Sequence, residues 1–143
     1  MNFEQYINDE VIEKNWSILS ERYHTCDFTP VRQRVKIISE IIEFEEAVET
    51  FKKTCTEEDF EKMCLEMADI ALSICTLFRI QDRKYTFTDV KPEASAEILI
   101  TQILCRSSDF VLSAIYAHAY AIGVDLVSAM NKKMEYNRTR KDW

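Results

Sequence analysis

Two pairs of acidic residues with the same spacing are the most chemically suggestive feature of this sequence. Glu40 is followed three residues later by Glu43, and Glu66 is followed three residues later by Asp69. Residues three apart on a helix share one face, so each pair would place two carboxylates side by side. Carboxylates held close together repel one another unless a cation compensates them, and an all-oxygen ligand set favours Mg²⁺ or Mn²⁺. The alternative interpretation of such an acidic run is a solvated helix face.

Charge is unevenly distributed along the chain, whose net charge is −7. The segment from Glu40 to Asp69 carries eleven acidic residues and three lysines, whereas the segment from Lys132 to Asp142 carries five basic and two acidic residues. An acidic surface argues against a nucleic acid duplex as a partner, because binding a duplex requires a basic face. A divalent cation together with a few basic side chains would instead suit a small polyphosphate substrate.

Several classes of site are excluded by residue counts. The single glycine, Gly123, cannot supply a glycine-rich phosphate loop, and two histidines are too few for a histidine-rich transition-metal site. The five cysteines occur at no CxxC spacing, which predicts buried thiols and neither a disulfide framework nor a zinc or redox site. The longest stretch without charged residues, from Phe110 to Val124, is too short to span a membrane. Because the first residues also lack the features of a signal peptide, we expect a cytoplasmic protein with no membrane partner.

Helical periodicity accounts for most of the chain. A length of 143 residues predicts one domain, residues 1–143, and the apolar spacing predicts an all-α bundle of about five helices. These run from Phe3 to about Tyr23, from Pro30 to about Lys53, from a Thr56 cap to about Leu77, from about Glu93 to Ile122, and from an Asp125 cap to about Asn137, with Gly123 ending the fourth. The short connection between the second and third helices predicts an antiparallel pair that brings the four carboxylates together.

Three short motifs resemble one known family. Ser39 to Glu43 and Glu66 to Asp69 resemble the EExxE and ExxD signatures of the MazG-like all-α nucleoside triphosphate pyrophosphohydrolases, whose relatives include dimeric dUTPases and dCTP pyrophosphatases. Lys133 to Arg140 resembles the KxxYNxxR element found near the end of many members. Two departures are visible, since Ser39 replaces the first glutamate and no HG-containing tail follows Arg140.

The resemblance implies a Mg²⁺-dependent enzyme that converts a nucleoside or deoxynucleoside triphosphate to its monophosphate and pyrophosphate. In that reaction water attacks the α-phosphorus, and a carboxylate such as Glu43 helps to remove its proton. The implied metal ligands are Glu40, Glu43, Glu66 and Asp69. The implied phosphate contacts are Lys133, Asn137 and Arg140. A non-catalytic helical interaction module and a phosphoribosyl-ATP pyrophosphohydrolase-like activity are the alternative functions.

A tryptophan and two histidines are the remaining candidate site residues, and the fourth helix bears on the oligomeric state. Trp16 and His24 are candidate contacts for a base, although a tryptophan on an apolar stripe is more often part of the core. His118 lies between alanines in an apolar helix and is expected to be a core histidine. The fourth helix is apolar on several faces, which predicts that one face packs against another subunit in a homodimer or homotetramer.

Overall fold

Residues 7–140 are described by a computed structural model, and this part of the chain is helical with no β-strand. In chain order the helices are α1 (Asp9–Arg22), α2 (Pro30–Thr54), α3 (Glu57–Ile80), α4 (Ala96–Leu104), α5 (Ser108–Ala121) and α6 (Leu126–Thr139), with a 3₁₀ turn at Thr25–Asp27. The predicted all-α class is confirmed. Phe3, where the predicted first helix begins, lies outside the described residues.

Side-chain caps begin three of the helices where the sequence predicts them. The hydroxyl groups of Thr29 and Thr56 accept a hydrogen bond from the backbone N–H three residues later, each at 3.2 Å. The carboxylate of Asp125 accepts the equivalent bond at 3.0 Å. Each cap satisfies one of the N–H groups that have no partner at a helix start, so the starts of α2, α3 and α6 are determined locally.

The helix predicted from about Glu93 to Ile122 is two helices, α4 and α5, separated at Arg106 and Ser107. Arg106 has a φ of 62°, and its N–H donates to the carbonyl of Ile103 at 3.0 Å. The Ser107 N–H donates to the carbonyl of Gln102 at 2.8 Å. These two bonds form a Schellman motif, which ends a helix with one left-handed residue. The prediction of a single helix was wrong because arginine rarely adopts this conformation and gives no local sign of a helix end.

The same motif ends α5 at Gly123, as predicted. Gly123 has a φ of 76°, its N–H donates to the carbonyl of Tyr120 at 3.1 Å, and the Val124 N–H donates to the carbonyl of Ala119 at 2.8 Å. Glycine adopts this backbone conformation without the steric penalty of a side chain, which is why the sequence signals this helix end clearly.

Helix α3 is the centre of the fold. It contacts α1, α2, α5 and α6, and every residue from Ile70 to Phe78 is buried. One cluster of buried apolar side chains includes residues from all six helices. Since both ends of α3 are fixed to its neighbours, its side chains provide a rigid floor for any site built beside it.

Helices α2 and α3 are joined by Cys55 and Thr56 alone and pack along each other. The Phe51 and Phe60 rings lie 5.4 Å apart near this connection. At the distant end, the Gln33 amide nitrogen donates to the Ser73 carbonyl at 2.8 Å. Contacts that pair earlier residues of α2 with later residues of α3 define an antiparallel arrangement.

The middle of α5 is covered within the chain itself. Residues 111–117 are all buried, and α5 contacts α3, α4 and α6. The preceding connector also covers α5, because the Arg83 guanidinium donates to Asp109 and to the Ser108 hydroxyl, each at 3.0 Å, and the Tyr85 hydroxyl bonds that of Ser113. Most of the apolar surface of α5 is therefore used for packing within the chain, and Tyr120 near its end is 67% exposed.

Among residues 7–140, no single helix is both long and apolar enough to cross a membrane. Only α5 and α6 taken together reach that length and composition, as a pair bent by 109°.

Candidate functional site

A cleft of about 630 Å³ runs beside α2 and α3 and is bordered by residues of α1 and α6. It brings together every residue that the sequence predicts for metal and phosphate binding: Glu40, Glu43, Glu66, Asp69, Lys133, Asn137 and Arg140. A volume of this size is typical of a small-molecule site. Acidic and basic groups far apart in the sequence therefore share one concave surface.

Three glutamates converge in this cleft. Single carboxylate oxygens of Glu40, Glu43 and Glu66 lie within 4.8 Å of one another. Glu40 is only 5% exposed, and the Oε2 atoms of Glu40 and Glu66 are enclosed without a hydrogen-bond partner among the described residues. A buried carboxylate oxygen without a partner is unfavourable. Two such oxygens beside the exposed carboxylate of Glu43 suit a small divalent cation that takes oxygen ligands, so these residues fit the Mg²⁺ that the motif resemblance implies.

The carboxyl groups of Glu43, Glu66 and Asp69 hold protons more tightly than free carboxyl groups. Burial and the neighbouring charges of Asp69, Glu43 and Glu40 raise the pKa of Glu66 to about 7. Burial raises the pKa of Asp69 to about 6, although Lys133 opposes the shift. The pKa of Glu43 is also raised, first by burial and then by the charge of Glu40. The cleft therefore carries negative charge that nearby groups do not fully compensate.

Two lysines partly compensate the cluster. The Lys36 ammonium lies 2.7 Å from Glu40 Oε1, and the Lys133 ammonium lies 3.3 Å from Asp69 Oδ2. Burial lowers the pKa of Lys36, but the bond to Glu40 and the surrounding carboxylates outweigh it and raise the value. Lys133 was predicted from the sequence and Lys36 was not. The signal for Lys36 was available, because it precedes Glu40 by four residues on one helix face.

We expect the Glu66→Gln variant, in the presence of a chelator, to be more stable than the wild type by about 2 kcal/mol near pH 8. The folded-state pKa of Glu66 is about 7 and its usual value is 4.5, so the wild type loses stability as the pH rises through this interval. Glutamine does not titrate, so the two proteins should have similar stabilities near about pH 4. Urea unfolding at both pH values measures this difference. An equal difference at both pH values would contradict the prediction.

Trp16, His24 and His118 lie outside the cleft lining. The Trp16 ring packs edge-on against Phe28 with centroids 6.0 Å apart, and the Arg79 guanidinium lies 5.0 Å from the Trp16 ring centre. His24 is exposed before the 3₁₀ turn. The structure thus does not bring the two proposed base contacts to the site. His118 is partly buried against Phe44, in agreement with its predicted packing role.

Buried polar residues at the floor of the cleft were not predicted from the sequence. Asn15, Gln33, Ser73 and Thr76 all line it, and each is at most 9% exposed. Asn15 interrupts the apolar positions of α1, and Ser73 and Thr76 interrupt the apolar stretch of α3. Polar residues at positions that should be apolar were the available signal.

Comparison of the chain with protein-family models, with curated proteins and with solved structures gives no match. The resemblance to the MazG-like group therefore remains one of short motifs. The functional conclusion depends on the chemistry of the cleft.

Proposed function

We propose that this chain hydrolyses a nucleoside or deoxynucleoside triphosphate to its monophosphate and pyrophosphate, with Mg²⁺ as cofactor and Mn²⁺ as a possible substitute. The observation that carries the proposal is the convergence of three glutamate oxygens within 4.8 Å in a cleft that also contains Lys133, Asn137 and Arg140. Hydrolysis of a phosphoanhydride needs charge neutralisation, alignment and a proton acceptor, and the cleft offers residues for each.

Glu40, Glu43, Glu66 and Asp69 would hold the metal ion. When bound, Mg²⁺ supplies positive charge for the phosphate oxygens and activates water for attack. Asp69 has a second role, because its ion pair with Lys133 holds that ammonium inside the cleft, where its side chain is 17% exposed. The acidic residues therefore position a basic residue as well as a cation.

The basic side of the cleft comes from α6. Lys133 and Asn137 are four residues apart on one face of that helix, and Arg140, which also lines the cleft, directly follows its last residue. The lysine and arginine side chains can only donate hydrogen bonds, and the asparagine amide can donate as well. Phosphate oxygens are acceptors, so this face is complementary to a polyphosphate.

Glu43 is the proposed proton acceptor for the attacking water. It is the most exposed of the three converging glutamates, whereas Glu40 is buried and Glu66 is intermediate. Its raised pKa makes it a stronger base than an ordinary carboxylate. Exposure to the cleft favours Glu43 over the other two for this role.

The burial of Glu40 disfavours the alternative of a helical interaction module without chemistry. In a solvated acidic face each carboxylate would be hydrated, yet Glu40 is 5% exposed and one of its oxygens has no partner within residues 7–140. A phosphoribosyl-ATP pyrophosphohydrolase-like activity uses the same type of reaction, and it is separated from the main proposal by the choice of substrate.

A product assay tests the proposal. The protein is incubated with each common ribonucleoside and deoxynucleoside triphosphate, and nucleotides, pyrophosphate and orthophosphate are quantified. We expect monophosphate and pyrophosphate in equal amounts, only when Mg²⁺ or Mn²⁺ is present. Diphosphate and orthophosphate would contradict the proposed bond cleavage. Absence of any product, together with no effect of a nonhydrolysable triphosphate on Mg²⁺ binding in calorimetry, would favour the interaction module.

The proposal includes a homodimer or homotetramer in the cytoplasm, where nucleoside triphosphates are abundant. Further support for self-association comes from α2. Val31, Val35 and Ile42 are 69%, 63% and 46% exposed, and their spacing places them on one face of α2. Exposed apolar rows of this kind are typical of contact surfaces.

We expect Val35→Glu to convert the assembled protein to a monomer, because a charge buried at an apolar contact has no partner. Light scattering at micromolar concentration measures the mass, and Ser20→Glu, the same change in charge at an exposed residue of α1, serves as the control. A wild-type protein that is already monomeric under these conditions would refute the assembly.

A further inference from the structure

The cleft has a second polar region beyond the carboxylates. Asn15, Gln33, Ser73 and Thr76 form its floor. Gln33 precedes Glu40 by seven residues on α2, which corresponds to about 10 Å of helix rise on nearly the same face. A ligand whose phosphates lie at the carboxylate end would therefore extend its other end over this floor.

The Asn15 amide has a fixed orientation. Its Nδ2 atom donates to the Leu72 carbonyl at 3.3 Å and to Thr76 Oγ1 at 2.8 Å. Thr76 Oγ1 itself donates to the Leu72 carbonyl at 3.0 Å, so it acts as an acceptor towards Asn15. A backbone carbonyl can only accept a hydrogen bond, so the amide nitrogen must occupy this position. The Asn15 oxygen is consequently on the opposite side of the amide group.

Gln33 is anchored in the same way from α2. Its Nε2 atom donates to the Ser73 carbonyl at 2.8 Å, which again fixes the nitrogen and the oxygen of the amide. Because only one of its two N–H groups is used by that bond, Gln33 retains one donor together with its acceptor oxygen. An amide that could rotate by 180° would present either its oxygen or its NH₂ group to a ligand. An anchored amide presents a fixed arrangement of donor and acceptor.

Both amide oxygens remain available to a ligand. In the part of the chain that the structure describes, no protein donor bonds to either oxygen. The fully enclosed, unpartnered oxygens belong to Glu40 and Glu66 and not to these amides. The floor therefore offers two acceptor oxygens and one N–H donor. The aromatic rings of Tyr23 and Phe28, whose centres are 6.1 Å apart, line the same cleft.

We propose that this floor selects a nucleobase that carries an amino group beside an unprotonated ring nitrogen, as cytosine and adenine do. The amino group supplies donors for the fixed amide oxygens, and the ring nitrogen accepts from the remaining Gln33 N–H. Uracil and hypoxanthine present a carbonyl beside an N–H, so their carbonyl oxygen would face acceptor oxygens. The Tyr23 and Phe28 rings provide an apolar surface for the base. This inference rests on the proposed triphosphate hydrolysis and defines its substrate class.

Two matched substrate pairs test the inference. CTP and UTP differ at this edge of the pyrimidine, and ATP and ITP differ at the equivalent edge of the purine. We expect the amino-bearing member of at least one pair to have the higher kcat/KM, by about tenfold or more, because a mismatched base leaves buried polar groups unpaired. Equal kcat/KM values within both pairs, or a preference for UTP and ITP, would overturn the inference and leave the proposed hydrolysis intact.

The Gln33→Met variant tests the assignment to this residue. Methionine has a similar length but neither donates nor accepts strongly, so the preference within the pair should fall to about threefold or less. Arg34→Met, on the same helix but outside the cleft lining, should keep the wild-type preference. An unchanged preference in folded Gln33→Met would overturn the role of Gln33. If that variant does not fold, the wild-type comparison still decides the substrate class.

Failure to release pyrophosphate from any triphosphate would instead refute the hydrolysis and this inference with it.

Discussion

The Glu40→Gln variant is expected to lose Mg²⁺-dependent pyrophosphate release by about two to three orders of magnitude. Glu40 is buried, contributes an oxygen to the three-glutamate cluster, and its Oε2 has no hydrogen-bond partner among the described residues. Glutamine keeps the size of the side chain and an oxygen that can accept from Lys36. It removes the charge that a bound cation would require. The expected loss of activity therefore results from weaker metal binding and not from a change in side-chain size.

The fold of Glu40→Gln should survive and gain stability in the absence of metal, because one of several mutually repelling carboxylates has been removed. Ser39→Ala is the matched control, since Ser39 is the adjacent residue of α2, is exposed and does not line the cleft. Its rate should differ from that of the wild type by a small factor. Pyrophosphate release and thermal unfolding are measured for both variants with and without Mg²⁺. Equal activity of the two variants would show that the glutamates form a solvated face.

Lys133→Met is expected to raise the KM for the triphosphate by about one to two orders of magnitude, the range lost when a charge-assisted bond is removed. Lys133 is 3.3 Å from Asp69 and its side chain is 17% exposed, so its ammonium is fixed at the edge of the acidic cluster. Methionine preserves most of the packing volume of the lysine stem. The variant therefore tests the charge of Lys133 at the phosphates.

Lys132→Met provides the comparison for Lys133→Met. Lys132 is the neighbouring residue of α6, is exposed and does not line the cleft. Each change removes one positive charge from the protein. Any general electrostatic effect on a charged substrate should therefore appear in both variants. Initial rates over a range of triphosphate concentrations separate KM from kcat. The role of Lys133 is contradicted by similar KM values for the two variants.

A deletion of the segment after Met130 is not a clean alternative to these point changes. Met130 and Met134 of α6 are 0% and 1% exposed, and α6 contacts α3. Removing Met134 would expose the core, and the resulting loss of stability would obscure any loss of phosphate contacts. Point changes on the cleft side of α6 are needed to separate the two effects.

The parts of the fold that local chemistry determines were predictable from the sequence. Thr29, Thr56 and Asp125 cap helices where predicted, because a cap depends on residues within one turn. The break at Arg106 was not predictable, because an arginine with a φ of 62° contradicts local preference. Such a residue is held by the packing of the helices on either side, which only the tertiary structure reveals.

Some features of the candidate site were likewise predictable from the sequence, and others were not. The spacing of Glu40 with Glu43, and of Glu66 with Asp69, sufficed to predict that the pairs face one cleft, because helix geometry fixes which residues share a face. The burial of Glu40 and the anchoring of Asn15 could not be predicted, since both depend on the depth at which α1 and α2 pack on α3. Periodicity locates a face of a helix but not its distance from solvent.

The two-residue connection between α2 and α3 has a consequence for the order in which the cleft is assembled during synthesis. Glu40 and Glu66 belong to one helical hairpin, whereas Lys133 follows Asp69 by 64 residues. Contacts of short sequence separation form early, and a chain emerging from the ribosome completes this hairpin before α6 exists. We therefore expect the acidic side chains to meet before Lys133 has been translated. Lys36 already belongs to the hairpin, and its ion pair with Glu40 supplies charge compensation from the outset.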